Sequence, residues 1–415
     1  MTKVILLALD QGKFDPQRSL EELEALAQAA QMEPVASVTQ KRSVPEAGTV
    51  LGEGKLAEAR LVAQNLEAEM AIFDGELTGS QMRNLSEALG IETIDRTMLI
   101  LEIFQARAIT NEGKLQTQLA LERYRLPRLQ GLGQIMTRQG GGGGGAAGAR
   151  RGSGETQLEL DRRYVHSRIE ALEKKLEDVV RRRGETRRAR QKSGVPVVAL
   201  VGYTNVGKSS LMNALCGSQE VMEADMLFAT LDPTARKLEL PSGLTVVLID
   251  TVGFVSRLPH HLVEAFKATL EELEYADLLI HVIDASDPNR DDHIEVVERL
   301  ISQLAKPGTP VIECYNKADL ADPDLLPRGE NRIPLCAKTG EGVDALMKLI
   351  EKNLNRGLHH VKLLLPYSMG GQLDTLHTQA RVLNVDYAGE GILVEAVCDE
   401  ALYGKLRQYV QEEGL

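Results

Sequence analysis

The chain of 415 residues has only four cysteines, Cys216, Cys314, Cys336 and Cys398. No two of them stand at the spacing of a metal-binding or redox pair, which argues against a thiolate metal site or a disulfide scaffold. Reduced thiols in a cytosolic protein are the expectation. Long apolar runs are missing as well. None approaches the ~18 residues needed to span a bilayer. The apolar stretch after Met1-Thr2-Lys3 ends at Asp10, too early for a secretory signal. Cytoplasmic location is therefore expected, with room for no more than weak peripheral membrane contact. The chain also lacks a basic balance: its net charge is −12, which speaks against general binding to DNA.

That average conceals an asymmetry. Between Phe104 and Lys192 stand 20 Lys/Arg against 10 Asp/Glu, a surplus of +10 that leaves −22 for the remainder. One basic segment inside an acidic protein points to a local contact with nucleic acid through counterion release, or else to a solvated helix face. With 43% hydrophobic residues and roughly 100–200 residues per domain, two to four domains can each bury a core.

Four divisions follow. Residues 1–95 alternate strand and helix signals: strands at Val4–Leu9, Val35–Val38, Met70–Phe73 and Ile91–Ile94, helices at Leu56–Leu66 and Gln81–Leu89. The pattern predicts a small parallel α/β subdomain. Residues 96–192 read as two long helices, Thr97 to about Tyr124 and Glu155 to about Gln191. In the second, Leu158, Val165, Leu172 and Val179 recur every seven residues with Ile169 and Leu176 between them. That seam wants a partner helix, and an antiparallel hairpin is expected. Joining the two is a Gly-rich segment, residues 131–154, with Gly140 through Gly145 in succession and Arg138, Arg150 and Arg151. It cannot pack a core, and it is longer than a turn requires; a functional tip is expected. Residues 193–356 form a nucleotide-binding α/β domain, and residues 357–415 a small α+β domain.

The chemistry is concentrated in residues 193–356. Gly202-Tyr203-Thr204-Asn205-Val206-Gly207-Lys208-Ser209 fits G-x-x-x-x-G-K-[ST], between the apolar strand Val197–Val201 and a helix start at Ser210–Leu215. Loop amides and a helix N-terminus converge there and favour an anion. Lys208 supplies charge for the β- and γ-phosphates, and Ser209 a hydroxyl for Mg²⁺. A second buried strand ends in Asp250-Thr251-Val252-Gly253. Its acid can hold Mg²⁺ through water, and its glycine lets a backbone amide approach a γ-phosphate. In Phe228-Ala229-Thr230-Leu231-Asp232-Pro233-Thr234, Thr230 is the candidate second Mg²⁺-binding hydroxyl, with Thr234 the alternative. Lys208, Thr230 and Gly253 are the expected catalytic positions.

The strand Val311–Tyr315 leads into Asn316-Lys317-Ala318-Asp319. Asp319 can accept from both N1–H and N2–H of guanine, a donor pair adenine lacks. Lys317 can lie over the base and Asn316 can brace the loops. Cys336-Ala337-Lys338 can offer a backbone amide to guanine O6. In this order the motifs predict a GTPase that converts GTP to GDP and phosphate. Phe254 stands where a glutamine orients the attacking water in Ras-like enzymes, so slow intrinsic hydrolysis is expected. The missing group can come from a ribosomal contact, a bound cation or the backbone; Asn205 makes K⁺ the cation to consider.

The wording of these motifs resembles the translation-factor class of P-loop GTPases. Gly52-Glu53-Gly54-Lys55-Leu56, Asp95-Arg96-Thr97-Met98-Leu99-Ile100-Leu101, Gly113-Lys114-Leu115-Gln116, Leu126-Pro127-Arg128-Leu129 and Arg151-Gly152-Ser153-Gly154-Glu155-Thr156-Gln157-Leu158-Glu159 resemble the N-terminal domain of the HflX family. Phe228–Thr234 resembles its first switch. The resemblance covers roughly residues 1–355, and residues 357–415 resemble a domain appended in some members. It implies a monomeric, ribosome-associated GTPase that binds the large ribosomal subunit. Such a protein splits ribosomes in its GTP state, notably stalled ones, with the arm reaching toward the peptidyl-transferase region. Cys336 departs from the serine common at its place. Members have been linked to ATP use by the N-terminal domain, but residues 1–190 contain no second phosphate loop. A GTPase of large-subunit assembly, or a switch that recruits a protein and dimerises through Leu158–Val179, would share the nucleotide motifs.

Overall fold

The computed structural model describes residues 1–12, 15–129, 150–192, 195–217, 234–255, 273–355 and 358–414. Three sheets organise them. The first is parallel, in the order β2-β1-β3-β4, from strands β1 (Thr2–Asp10), β2 (Met32–Lys41), β3 (Met70–Phe73) and β4 (Glu92–Asp95). Helices α1 (Pro16–Ala29), α2 (Glu53–Asn65) and α3 (Gly79–Leu89) connect them. The ends of α3 show why the chain folds so locally. Thr78 and Gln81 form a reciprocal capping box, and Gly90 closes the helix in the left-handed conformation. Ile5, Leu7, Ala71 and Phe73 pack with Leu56, Ala59, Leu85 and Leu89 on one face of the sheet. Val4, Leu6 and Ile72 face the other way, against Leu23 and Leu26 of α1.

The helical region departs from expectation. In place of one helix from Thr97 to Tyr124 there are two, α4 (Arg96–Arg107) and α5 (Asn111–Arg125). Ala108 is extended, and the Thr110 hydroxyl caps the next helix by accepting from the Gly113 amide at 2.9 Å. The break divides the apolar residues between two environments. Met98, Leu99, Leu101 and Phe104 join the core beneath the first sheet. Leu115 and Leu119 instead meet Val165, Ile169 and Leu172 of α6 (Arg150–Lys192). Ion pairs Glu112–Arg183, Glu122–Arg168 and Arg123–Glu173 run in opposite directions along the two helices, so α5 and α6 are antiparallel. From Val165 to Val179 the seven-residue seam is thus satisfied within the chain. Helix α6 begins at Arg150, earlier than Glu155; residues 131–149 of the Gly-rich tip lie outside the described residues. At 43 residues it is about 65 Å long.

Asp95 ties the arm to the first sheet. Fully buried, it caps α4 through the Met98 amide, accepts from the Leu77 amide at 2.9 Å, and receives the Tyr124 hydroxyl of α5. Arg128 stacks on the Tyr124 ring and donates to the Leu77 carbonyl. Burial, then the adjacent Asp95 charge, pushes the Tyr124 phenol well above its ordinary range, so it stays a donor.

The second sheet has the order β10-β9-β8-β5-β7-β6. Strands β5 (Val197–Gly202), β7 (Thr245–Asp250), β8 (Leu278–Asp284), β9 (Val311–Asn316) and β10 (Arg332–Pro334) are parallel. The edge strand β6 (Thr234–Glu239) is antiparallel to β7. Helices α7 (Lys208–Cys216), α8 (Arg290–Leu304) and α9 (Val343–Leu354) cover it. The third sheet, β12-β13-β11-β14, is antiparallel: β11 (Leu358–Leu365), β12 (Arg381–Ala388), β13 (Gly391–Asp399) and β14 (Val410–Gly414). Helices α10 (Gly370–Gln379) and α11 (Glu400–Leu406) accompany it. Helix α11 stops at Leu406, once Leu402, Tyr403 and Leu406 are buried, and the chain returns as β14 beside β11. No helix among the described residues is long and apolar enough to cross a membrane.

Candidate functional site

Parallel strands β5, β7 and β9 end on one side of the second sheet. The segments at their ends, and the one after the parallel strand β10, bring Gly202–Ser209, Asp250–Gly253, Asn316–Asp319 and Cys336–Lys338 together. Phe228, Ala229, Thr230, Leu231 and Asp232 lie outside the described residues. Thr234, the alternative hydroxyl, starts β6 directly opposite Asp250 in register.

The phosphate loop turns sharply into α7. Gly207 sits there at φ 89°, and a Cβ would collide with the Asn316 side-chain amide. Only glycine meets both demands. Asn205 takes a left-handed conformation as well, at φ 61°, which asparagine tolerates better than most residues. Asn316 is buried and braces two loops at once. Its Nδ2 donates to the Val206 carbonyl at 2.8 Å, and its Oδ1 accepts from the Ala337 amide at 2.9 Å. The Ala337 amide, one of the three that could face guanine O6, is therefore engaged inside the protein here. The Cys336 amide pairs with the Glu341 carbonyl, and Lys338 is exposed.

Lys317, at φ 58°, donates to the Asn205 carbonyl at 3.0 Å and pairs with Asp284 at 2.7 Å. Asp284, at the end of β8, was not singled out from the sequence. Its position after a buried apolar strand is the signal that could have found it. Ala318 opens a 3₁₀ turn that leaves Asp319 exposed, with no partner among the described residues.

Lys208 is buried at the start of α7, and its Nζ donates to the carbonyls of Gly202 (3.2 Å) and Tyr203 (2.7 Å). Burial pulls its pKa down to about 8, with the Asp250 charge acting in the opposite sense. The lysine therefore loses its charge as pH rises through about 8. A bound phosphate favours the charged form, so GDP affinity is expected to fall by about tenfold per pH unit above that point. A GDP titration from pH 7 to 9.5 measures this; a profile flat across the range contradicts it.

The Ser209 hydroxyl donates to Asp250 Oδ2 at 2.7 Å, while the Thr251 hydroxyl ties to the Leu200 carbonyl. A hydroxyl and a carboxylate are the hard oxygen donors that suit Mg²⁺. Among the described residues no cluster of three His, Cys, Asp or Glu side chains forms a metal cage. Mg²⁺ bound largely by a hydroxyl, water and phosphate needs none. Val252 is buried in the core, and Gly253 follows in tight contact with the phosphate loop. A Cβ there would lie 2.8 Å from Thr204 Cγ2 and 3.0 Å from Lys208 Nζ.

Phe254 behaves unlike a catalytic side chain. Its backbone pairs with the phosphate loop: its amide donates to the Gly202 carbonyl, and its carbonyl accepts from the Thr204 amide. Its ring, 2% exposed, packs with Ala199, Val201, Leu279 and Val297. The ring is part of the core beneath α8.

Three family profiles match the chain. They are described as "GTP-binding GTPase N-terminal" over residues 17–105, "GTP-binding GTPase Middle Region" over residues 107–190 and "50S ribosome-binding GTPase" over residues 197–317. Curated relatives are similar over nearly the whole length. GTPase HflX of Caldanaerobacter subterraneus subsp. tengcongensis is 46% identical over 409 residues, 98% of this chain and 94% of the relative. GTPase HflX of Lacrimispora saccharolytica is 42% identical, over 97% of this chain and 95% of its own. GTPase HflX of Escherichia coli is 41% identical over 359 residues, 85% of this chain and 82% of the relative.

Proposed function

Because the chain belongs to the HflX family of GTPases, we propose that this GTP hydrolase binds the large ribosomal subunit through residues 104–192 and, when GTP is bound, splits or rescues stalled ribosomes. The observation that carries this reading is the built arm. Helix α6 buries Val165, Ile169 and Leu172 against α5 and turns Arg163, Arg168, Lys174, Lys175, Arg181 and Arg182 outward. Its seam is used inside the chain, which favours a monomer over a coiled-coil dimer through Leu158–Val179. A long basic hairpin on an acidic protein suits an RNA surface.

Within the site, Gly202–Ser209 would cradle the phosphates, with Lys208 on the β- and γ-oxygens. Ser209 and Thr230 would hold Mg²⁺ directly, and Asp250 through water. Bound Mg²⁺ would neutralise charge on the phosphates. Phe228–Asp232 would cover the nucleotide, and the Gly253 amide would meet the γ-phosphate. Asn316–Asp319 and Cys336–Lys338 would hold guanine, Asp319 taking the N1–H and N2–H pair.

Co-sedimentation with isolated large subunits tests the binding step. Retention with a non-hydrolysable GTP analogue is expected to exceed that with GDP at least tenfold, and to weaken steeply as salt rises. Equal retention with both nucleotides, or indifference to salt, counts against the proposal.

A further inference from the structure

One residue of the phosphate loop touches the N-terminal sheet region directly. The Tyr203 hydroxyl donates to Glu22 Oε1 of α1 at 2.7 Å, across 181 positions of sequence. The same residue's carbonyl accepts from Lys208 Nζ at 2.7 Å. Its side chain therefore faces the N-terminal region while its backbone holds the phosphate-binding lysine.

Both ends of this contact are fixed. Arg96, 3% exposed, pairs with Glu22 at 3.0 Å and with Asp74 at 3.0 Å; Asp74 in turn accepts from the Ser19 hydroxyl. Glu22 is thus oriented before it meets the tyrosine. On the other side, the Tyr203 ring stacks on His293 of α8, centroids 3.8 Å apart and planes 11° from parallel, and His293 pairs with Asp287 at 3.2 Å. Four residues before Glu22, on the same face of α1, Arg18 pairs with Asp292 in the first turn of α8. Leu23 and Leu26 share one apolar cluster with Tyr203 and Val206. A chance surface contact would show neither the buried arginine behind it nor the second tie beside it.

We propose that Glu22 is a positioning residue for the GTPase reaction: through the Tyr203 hydroxyl it holds the phosphate loop in the shape that presents Lys208 to the nucleotide. The proposal rests on the GTPase site and not on the ribosomal reading. Nucleotide affinity and the seating of α1 against α8 are then linked, and linkage is reciprocal. Whatever displaces α1 loosens the nucleotide, and bound nucleotide steadies α1.

The experiment compares full-length wild type, Tyr203→Phe, Glu22→Ala, the double variant and Glu22→Gln. It measures release of N-methylanthraniloyl-GDP by stopped flow, with thermal unfolding as a fold control. Tyr203→Phe keeps the ring on His293 and removes one hydroxyl. Each single change is expected to speed release about three- to tenfold, the scale of one hydrogen bond to a charged group partly replaced by water. The double variant should match the faster single within about twofold, because both remove the same contact. Glu22→Gln, whose amide oxygen still accepts from the hydroxyl, should recover most of the effect. Release by Tyr203→Phe that is unchanged or slower overturns the proposal, as does a double effect equal to the product of the singles. Should Glu22→Ala not fold, Tyr203→Phe decides alone.

Discussion

Replacing Asp319 with Asn is expected to weaken GTP binding by about 10²–10³-fold. In the proposed complex the carboxylate accepts two hydrogen bonds from guanine, N1–H and N2–H. Asparagine keeps one acceptor and turns a donor toward the second, so one bond is lost and the charge disappears from the other. At ~1.5–3 kcal/mol for each bond to a charged group, the two changes amount to three or four kcal/mol. The loop should survive the substitution, because Asp319 is exposed and has no partner among the described residues, while Asn316 and Lys317 carry the bracing contacts. The same change should create affinity for xanthosine triphosphate, whose C2 oxygen accepts from the new amide. Titration of both nucleotides checks the pair of effects. Unchanged GTP affinity, or loss of GTP binding with no gain for xanthosine triphosphate, would remove Asp319 from the base site.

Large ribosomal subunits are expected to raise the GTP turnover rate by on the order of 10²-fold, less than the roughly 10³–10⁵-fold that an arginine supplied in trans gives P-loop enzymes. The structural reason is the fate of Phe254. Its ring is buried with Ala199, Val201, Leu279 and Val297, in a segment after β7 whose backbone is paired to the phosphate loop. Position 254 can therefore offer water neither a side-chain donor nor an acceptor. Inserting one is not a remedy. Phe254→Gln would bury an amide among apolar side chains and leave a cavity, with a stability loss of about 3 kcal/mol and no faster basal turnover. Steady-state rates with and without subunits measure the stimulation. A basal rate that subunits do not raise, or a Phe254→Gln protein whose basal turnover exceeds that of the wild type, contradicts the role given to the ribosome.

The phosphate loop was legible because its signal is contiguous: a buried strand, an octet with glycines at fixed places, and a helix start. The parallel sheets and the pairing of the seven-residue seam were legible for a related reason, since apolar periodicity reports which face is buried. Three features were not. The break at Ala108–Thr110 depends on a single capping hydroxyl, while Gly113, the residue type that would suggest a break, lies inside the second helix. Edge strand β6 is half-exposed, so its apolar alternation is weak, and β14 finds its partner β11 far earlier in the chain. The Glu22–Tyr203 contact joins residues 181 positions apart and leaves no local pattern at either end. Sequence reading also cast Phe254 only as a missing glutamine. Its part in the core depends on the bridge to Tyr203, which turns the ring toward Val297 of α8.

In the proposed function the GTP-bound protein separates ribosomal subunits by means of its arm. Mature ribosomes mixed with the protein and a non-hydrolysable GTP analogue, then resolved on a sucrose gradient, test it most directly. A variant lacking Gly140 to Gly154 serves as control. The account predicts that the full chain converts whole ribosomes to subunits without hydrolysis, and that the shortened chain does not. Splitting that requires GTP turnover, or splitting by the shortened chain, would contradict it.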